Sequence, residues 1–130
     1  MTTVSGTLTW VRLTAAVGLV FSALAIVAGT RVLTGRDVPD YPVLPWLVQY
    51  NVAAGAIGAV VALSVWWGRP WARLAAGAVA AVHGGVLLIL VATRLTGGVV
   101  ANDSLVAMTL RTTVWLGVAL VAHRASPVRG

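Results

Sequence analysis

The stretch WARLAAGAVAAVHGGVLLILVAT, from Trp71 to Thr93, decides the fold of this chain. Apart from Arg73 near its start and His83 near its middle, it contains no charged or titratable side chain. A helix of this length crosses a hydrocarbon core about 30 Å thick, and a soluble domain rarely contains such a run. The stretch therefore predicts a transmembrane helix.

Three further apolar runs resemble it in length and composition. They extend from about Trp10 to Gly29, from about Leu44 to Trp67 and from about Leu105 to His123. We predict an all-α integral membrane protein, a bundle of four transmembrane helices that forms one domain over residues 1–130. We expect the first run to be retained as a helix and not removed as a signal peptide, because little positive charge precedes it.

Glycine, proline and capping residues separate the four runs. The segment 35–45 contains three prolines, which exclude a helix through the first loop. Gly68-Arg69-Pro70 predicts a tight turn, with Pro70 at the first position of the third helix. Gly97 and Gly98 are expected to end the third helix, and Asn102-Asp103-Ser104 to cap the fourth.

Composition excludes several functions. Of the 130 residues, 59% are hydrophobic and 9% are charged, which is too apolar for a soluble domain of this size. All nine basic residues are arginine, and the net charge is +6. The arginines lie at the ends of the runs, where they suit lipid head groups and orientation better than nucleic acid. The lack of cysteine excludes disulfides and thiolate metal sites, and two distant histidines do not make a metal site.

Arginine counts predict the orientation. The N-terminal segment, the second loop and the C-terminal tail lie on one side of the membrane and contain five arginines: Arg12, Arg69, Arg73, Arg124 and Arg129. The first and third loops lie on the other side and contain three: Arg31, Arg36 and Arg94. Basic residues favour the cytoplasmic side, so both termini are predicted in the cytoplasm and the chain in the inner membrane. The six tryptophans are interpreted as anchors at the two membrane interfaces.

The first and third runs have similar sequences at both of their ends. Trp10-Val-Arg-Leu corresponds to Trp71-Ala-Arg-Leu, and Thr30-Arg-Val-Leu-Thr-Gly corresponds to Thr93-Arg-Leu-Thr-Gly. This pattern predicts two helical hairpins related as parallel repeats. The alternative is that such ends are general features of membrane interfaces.

His83 is the sharpest candidate for chemistry, since polar groups inside a bilayer are costly. It shares a helical face with Ala76 and with Arg94, and Arg94 lies about 16 Å from it along the helix axis. His83 and Arg94 would therefore line one crevice. His83 would bind haem, donate to a quinone carbonyl or relay protons. Alternatively, it is a neutral imidazole bonded to a neighbouring helix.

Arg111 lies about two turns inside the fourth run. Its long side chain would reach the outer interface, pair with Asp103, Asp40 or Asp37, or meet an anionic ligand. These alternatives remain open at the level of sequence.

Polar residues also begin the second run. Asn51 shares one narrow face with Gly55, Gly58 and Ala62, a pattern typical of close helix packing, and of an oligomer interface if the face points outward. A polar pocket in the non-cytoplasmic half would collect the following residues: Gln49, Tyr50, Asn51, His83, Arg94 and Arg111.

The sequence resembles the DoxX-like group of small four-helix bacterial membrane proteins. The resemblance rests on Arg12-Leu13 with Gly18, on Gly29-Thr30-Arg31, on the Asn51, Gly55 and Gly58 spacing, and on the segment 68–73, Gly-Arg-Pro-Trp-Ala-Arg. Members commonly have an acidic residue near the position of Asn51, where this chain has an amide. The resemblance implies a role beside quinone-linked redox complexes.

Three functions follow as expectations. The first is a non-catalytic membrane subunit or scaffold that packs through its glycine and alanine faces into a homo-oligomer or a larger membrane complex. The second is a quinone-binding or ligand-binding protein linked to redox chemistry. The third is a small oligomeric transporter or channel, although no carboxylate lies in any run. No cofactor is expected under the first; quinone or haem belongs to the second.

Overall fold

The computed structural model describes residues 4–125, and these form four helices connected by loops without any strand. The helices are α1 (Val4–Leu33), α2 (Pro45–Trp66), α3 (Ala72–Leu95) and α4 (Asn102–Arg124). Each is long and apolar enough to cross a membrane. The predicted all-α bundle of four membrane-spanning helices is confirmed. Arg129, which entered the orientation count, lies outside the described residues.

Two predicted helix ends are wrong. Pro70 does not begin the third helix, because the Ala72 N–H bonds to the Arg69 carbonyl in a turn and α3 begins only at Ala72. Asn102-Asp103-Ser104 does not cap the fourth helix: Ala101 is the N-cap residue, and no side chain bonds to the free amides there. The Asn102 side chain instead accepts a hydrogen bond from Arg94 of α3.

The four helices form a ring in chain order. α1 packs most extensively against α2, and α3 against α4, whereas the α2–α3 and α1–α4 pairs touch less. We call α1–α2 the first hairpin and α3–α4 the second hairpin. The end that carries the loops 34–44 and 96–101 is called the loop end. The opposite end, with the start of α1, the turn 67–71 and the end of α4, is called the terminal end.

Glycines allow α1 and α2 to approach closely. A Cβ atom on Gly55 would lie 2.9 Å from the backbone oxygen of Ser22, and one on Gly58 would lie 2.5 Å from the Ser22 hydroxyl. Ala62 and Ala76 are also buried, with 1% and 0% of their surface exposed. The face formed by Gly55, Gly58 and Ala62 is therefore occupied inside the bundle.

Two apolar clusters fill the bundle at different depths. The terminal cluster, on the side of the terminal end, is centred on small residues and one indole, and includes Ala15, Val61, Ala62, Val65, Ala72, Ala76, Ala80, Trp115, Val118 and Ala122. The loop cluster, on the side of the loop end, includes Leu47, Val86, Leu90, Val100 and Met108. Trp115 is 1% exposed, so this tryptophan is a core residue and its predicted role as an interface anchor is wrong.

Candidate functional site

Five polar side chains meet between the two apolar clusters, and every helix contributes at least one. We call this group the polar layer: Ser22 of α1, Tyr50 and Asn51 of α2, His83 of α3 and Arg111 of α4. Arg111 lies about 14 Å along α4 from its first residue, and His83 about 16 Å along α3, at 1.5 Å per residue. A bilayer around these helices places both side chains at the depth of the hydrocarbon core.

Tyr50 and His83 form the first contact of the polar layer. The Tyr50 hydroxyl oxygen lies 2.5 Å from Nδ1 of His83, and the two rings meet edge to face with their centroids 5.8 Å apart. Within residues 4–125 the Tyr50 hydroxyl has no other hydrogen-bond partner, and as a donor it pairs with the Nδ1-acceptor tautomer of His83. A neutral imidazole that accepts at Nδ1 carries its proton at Nε2. In that tautomer Nε2 of His83 is a donor.

Arg111 and Asn51 form the second contact. Nη1 of Arg111 donates to Oδ1 of Asn51 over 2.5 Å, and it also lies 4.0 Å from the sulfur of Met108. Because a guanidinium cannot accept a hydrogen bond, the amide oxygen of Asn51 must face it. The NH2 group of Asn51 is then left as a donor.

Arg111 has no ionic partner in the described part of the chain. Asp37 pairs with Arg31 at the loop end, with 2.8 Å between Nε and Oδ2, and no described carboxylate forms an ion pair with Arg111. The expectation that Arg111 pairs with Asp37, Asp40 or Asp103 is therefore wrong. Within residues 4–125 its cationic group contacts only neutral groups, the amide of Asn51 and the sulfur of Met108.

Two residues of the predicted pocket lie elsewhere. Gln49 is exposed, because it precedes Tyr50 and Asn51 on a helix that turns about 100° per residue. Arg94 is exposed at the loop end, where it bonds to Asn102. The predicted crevice between His83 and Arg94 is therefore not formed.

Ser22 was not singled out from the sequence, although a signal was present. It lies at helical spacing between Gly18 and Gly29, with Ala25 on the same face, and such small residues mark the buried side of a membrane helix. Ser22 is 4% exposed, and its hydroxyl forms no hydrogen bond with any part of the chain that the structure describes. Its oxygen is thus available to a group inside the bundle.

A small cavity lies at the centre of the polar layer. Its volume is about 10 Å³, the room that a single water molecule needs. Its walls come from all four helices: Phe21, Ser22, Ala25, Asn51, Ala54, Gly55, His83, Arg111 and Trp115. Three of its four polar residues have N–H donors free of the hydrogen bonds described above, namely the Asn51 NH2 group, the remaining N–H groups of Arg111 and, in the tautomer described, Nε2 of His83, so the cavity suits a hydrogen-bond acceptor.

The cavity is closed toward both ends of the bundle. The terminal cluster, with Trp115, lies on one side, and the loop cluster, with Met108, lies on the other. The sides of the ring face lipid, and packing is least extensive between α1 and α4 and between α2 and α3. The shortest path to the cavity therefore runs sideways, from the membrane.

The polar layer joins the two hairpins. Tyr50 and Asn51 belong to the first hairpin, whereas His83 and Arg111 belong to the second, so both hydrogen bonds cross from one hairpin to the other. No polar layer residue bonds to a side chain of its own hairpin within the described residues, apart from the weak contact of Arg111 with Met108.

Metal and haem chemistry find little support in this geometry. Among residues 4–125 no group of three or more histidines and acidic residues could hold a metal ion. His83 is buried inside the bundle with Nδ1 engaged by Tyr50, and the cavity beside it is far too small for a porphyrin. A haem shared between two copies would need His83 on the outer surface.

Comparison with models of known protein families, with curated proteins and with solved structures gave no match to this chain. The resemblance to the DoxX-like group therefore stays a prediction. Function has to be inferred from the polar layer itself.

Proposed function

We propose that this protein is a membrane-embedded binding protein that receives a lipid-soluble molecule and holds its oxygen-bearing head in the polar layer. One observation carries the proposal: Arg111 is half-buried about midway along α4, with a neutral amide as its partner and with no described carboxylate in contact. A charged side chain at this depth costs several kcal/mol unless it is compensated, and such residues in membrane proteins commonly mark a binding site or pathway. A bound ligand supplies the compensation.

The position of the cavity supports a ligand that arrives from the lipid. Apolar clusters separate the cavity from the aqueous phase at both ends, whereas the lightly packed α1–α4 and α2–α3 sides adjoin the membrane. A molecule with an apolar tail can leave that tail among the lipids and insert only its polar head. Quinones are lipid-soluble molecules with carbonyl oxygens and so belong to this class of ligand. They are also the ligands expected for the redox-linked function predicted from the sequence.

A docking subunit is less well supported than a binding protein. The expected docking faces were those of Gly55, Gly58, Ala62 and Ala76, and all four residues are buried within a single copy. They are thus occupied by helices of the same chain. A transporter or channel is also less favoured, because apolar clusters block the bundle on both sides of the cavity.

We further propose that the terminal end faces the cytoplasm of the inner membrane. Four arginines lie exposed at this end, namely Arg12, Arg69, Arg73 and Arg124, and Arg12 lies 5.5 Å from the centre of the Trp66 ring. The loop end carries three exposed arginines, Arg31, Arg36 and Arg94. This asymmetry supports the positive-inside orientation.

Native mass spectrometry of protein purified in a mild detergent tests the binding function. We expect a lipid-soluble molecule to copurify with the wild-type chain at one per bundle, and to be lost from the Arg111→Gln variant. Arg94→Gln is the matched control, since Arg94 is a helix arginine outside the polar layer. Equal retention of the molecule by Arg111→Gln and by wild type would overturn the proposal.

A further inference from the structure

We infer that the head group held by the polar layer is a carboxylate on an apolar tail, an inference that rests on the proposed binding function. The first reason is charge. Arg111 is the one member of the polar layer with a permanent positive charge, and no described aspartate balances it. A buried charge is tolerated when it is paired and hydrogen-bonded, so the missing partner is a single negative charge.

The second reason is the direction of the hydrogen bonds. Arg111 fixes the Asn51 amide with its NH2 group free, and His83 is a donor at Nε2 when the Tyr50 hydroxyl donates to Nδ1. Arg111 itself has further N–H groups, and a guanidinium matches the two oxygens of a carboxylate in geometry. Amines and ammonium groups would face donors and a like charge. An alcohol would use its oxygen but leave the charge of Arg111 uncompensated.

The third reason is size. A cavity of about 10 Å³ admits one oxygen atom beyond the groups that already fill the bundle. A carboxylate can insert one oxygen there while its second oxygen stays on Arg111. A phosphodiester is bulkier, with two free oxygens and two ester oxygens around phosphorus. It would have to displace Trp115, which is fully buried, or part α1 from α2 at Gly55, where the Ser22 backbone leaves no room for even a Cβ atom.

The fourth reason is the apolar surround. The cavity walls next to the polar groups are Phe21, Ala25, Ala54 and Trp115. Such walls exclude water and so strengthen an ion pair, while the tail of the ligand stays among the lipids. A free carboxylate such as acetate would lose its hydration without the compensating burial of a tail, which contributes about 0.8 kcal/mol for each methylene.

A panel of probes with matched tails tests the inference. The delipidated protein in detergent is titrated with hexadecanoate, hexadecanol, hexadecylamine, decylubiquinone, phosphatidylglycerol and acetate, and binding is followed by calorimetry and native mass spectrometry. We expect hexadecanoate to bind at one per bundle, about tenfold to a hundredfold more tightly than hexadecanol, as for a hydrogen bond to a charged group. Acetate is expected not to bind at millimolar concentration.

The outcomes separate the inference from the function on which it rests. Equal binding of hexadecanol or decylubiquinone, or binding of phosphatidylglycerol in place of hexadecanoate, would overturn the carboxylate but leave a lipid-soluble ligand. Equal binding of acetate would show a small-anion site and would also overturn the inference. If no probe binds and nothing copurifies with the native protein, the proposed function itself fails.

Three variants make the test independent of folding. Arg111→Gln should lose the preference for hexadecanoate over hexadecanol, whereas Arg94→Gln should keep it. Asn51→Asp retains the shape of the side chain and brings a carboxylate to the 2.5 Å contact with Arg111. We expect this variant to fold with at least wild-type stability and to bind hexadecanoate about tenfold or more weakly, because Arg111 is already neutralised. Unchanged hexadecanoate binding by Asn51→Asp would contradict the inference.

Discussion

The Tyr50 hydroxyl and Nδ1 of His83 are 2.5 Å apart, and this contact connects α2 to α3 about midway along the helices. The contact does more than join two helices. When the Tyr50 hydroxyl donates to Nδ1, the imidazole carries its proton at Nε2, and His83 offers a donor to a neighbour in the cavity.

Replacing Tyr50 by phenylalanine should therefore weaken both stability and binding. His83 would keep its buried position but lose the donor at Nδ1, at a cost of about 1–3 kcal/mol for an unsatisfied buried group. We expect a lower midpoint of thermal unfolding and weaker retention of the ligand. Tyr41→Phe is the control, because Tyr41 is exposed in the loop 34–44. Equal melting of the two variants would contradict the assigned contact.

Replacing Arg111 by methionine should separate stability from binding. Methionine retains most of the apolar stem and removes a charge that has no ionic partner in the described residues. Replacing buried charges by apolar residues is often neutral or stabilising by about 1–4 kcal/mol. Without ligand, Arg111→Met should melt at or above the temperature of the ligand-free wild type. In a binding assay the same variant should fail to bind the ligand. A marked fall in melting temperature would instead indicate that Arg111 is structural.

Glycine at position 55 should be essential for the approach of α1 to α2. An added Cβ would lie 2.8 Å from Ile26 Cγ1 and 2.9 Å from the Ser22 backbone oxygen, and the backbone atom cannot rotate away. We expect Gly55→Ala to destabilise the protein by about 1–3 kcal/mol. Gly77→Ala provides the matched control, since nothing lies within 4 Å of its added Cβ. There the higher helix propensity of alanine should raise stability by up to about 1 kcal/mol.

The orientation can be tested with single cysteines, because the sequence contains none. Arg69→Cys places a thiol in the turn 67–71 at the terminal end, and Asp40→Cys places one in the loop 34–44. In intact cells whose outer membrane has been removed, a membrane-impermeant maleimide should label the Asp40 variant and spare the Arg69 variant. Labelling in the opposite pattern would reverse the proposed orientation.

Sequence alone predicted the number of helices because the length of each apolar run matches the thickness of a bilayer. It also predicted a polar pocket of six residues, because polar groups are costly inside a bilayer. Those at positions 50, 51, 83 and 111 lie together, whereas Gln49 and Arg94 are exposed elsewhere. The turn at residues 67–71 and the glycines with positive φ, Gly35, Gly68 and Gly97, likewise follow from local chemistry.

The partners of these residues could not be predicted in the same way. In a membrane helix both the lipid face and the core face are apolar, so periodicity does not reveal which way the helix is rotated. Gln49 and Asn51 illustrate the difficulty: both are polar amides near the start of α2, yet only Asn51 points into the bundle. Trp115 was mistaken for an interface residue for the same reason, since nothing local distinguishes a buried indole from an anchor.

The hydrogen bonds that cross between the hairpins bear on how this protein reaches its folded state. Before the halves meet, each inserted hairpin leaves groups unsatisfied in lipid: Tyr50 and Asn51 on one side, His83 and Arg111 on the other. Association of the halves satisfies these groups together, and only in the register that aligns both pairs. The polar layer thus makes the lightly packed contact between the two hairpins selective for one register, which apolar surfaces in lipid do not do. Correct assembly of the bundle and completion of its cavity are then one event.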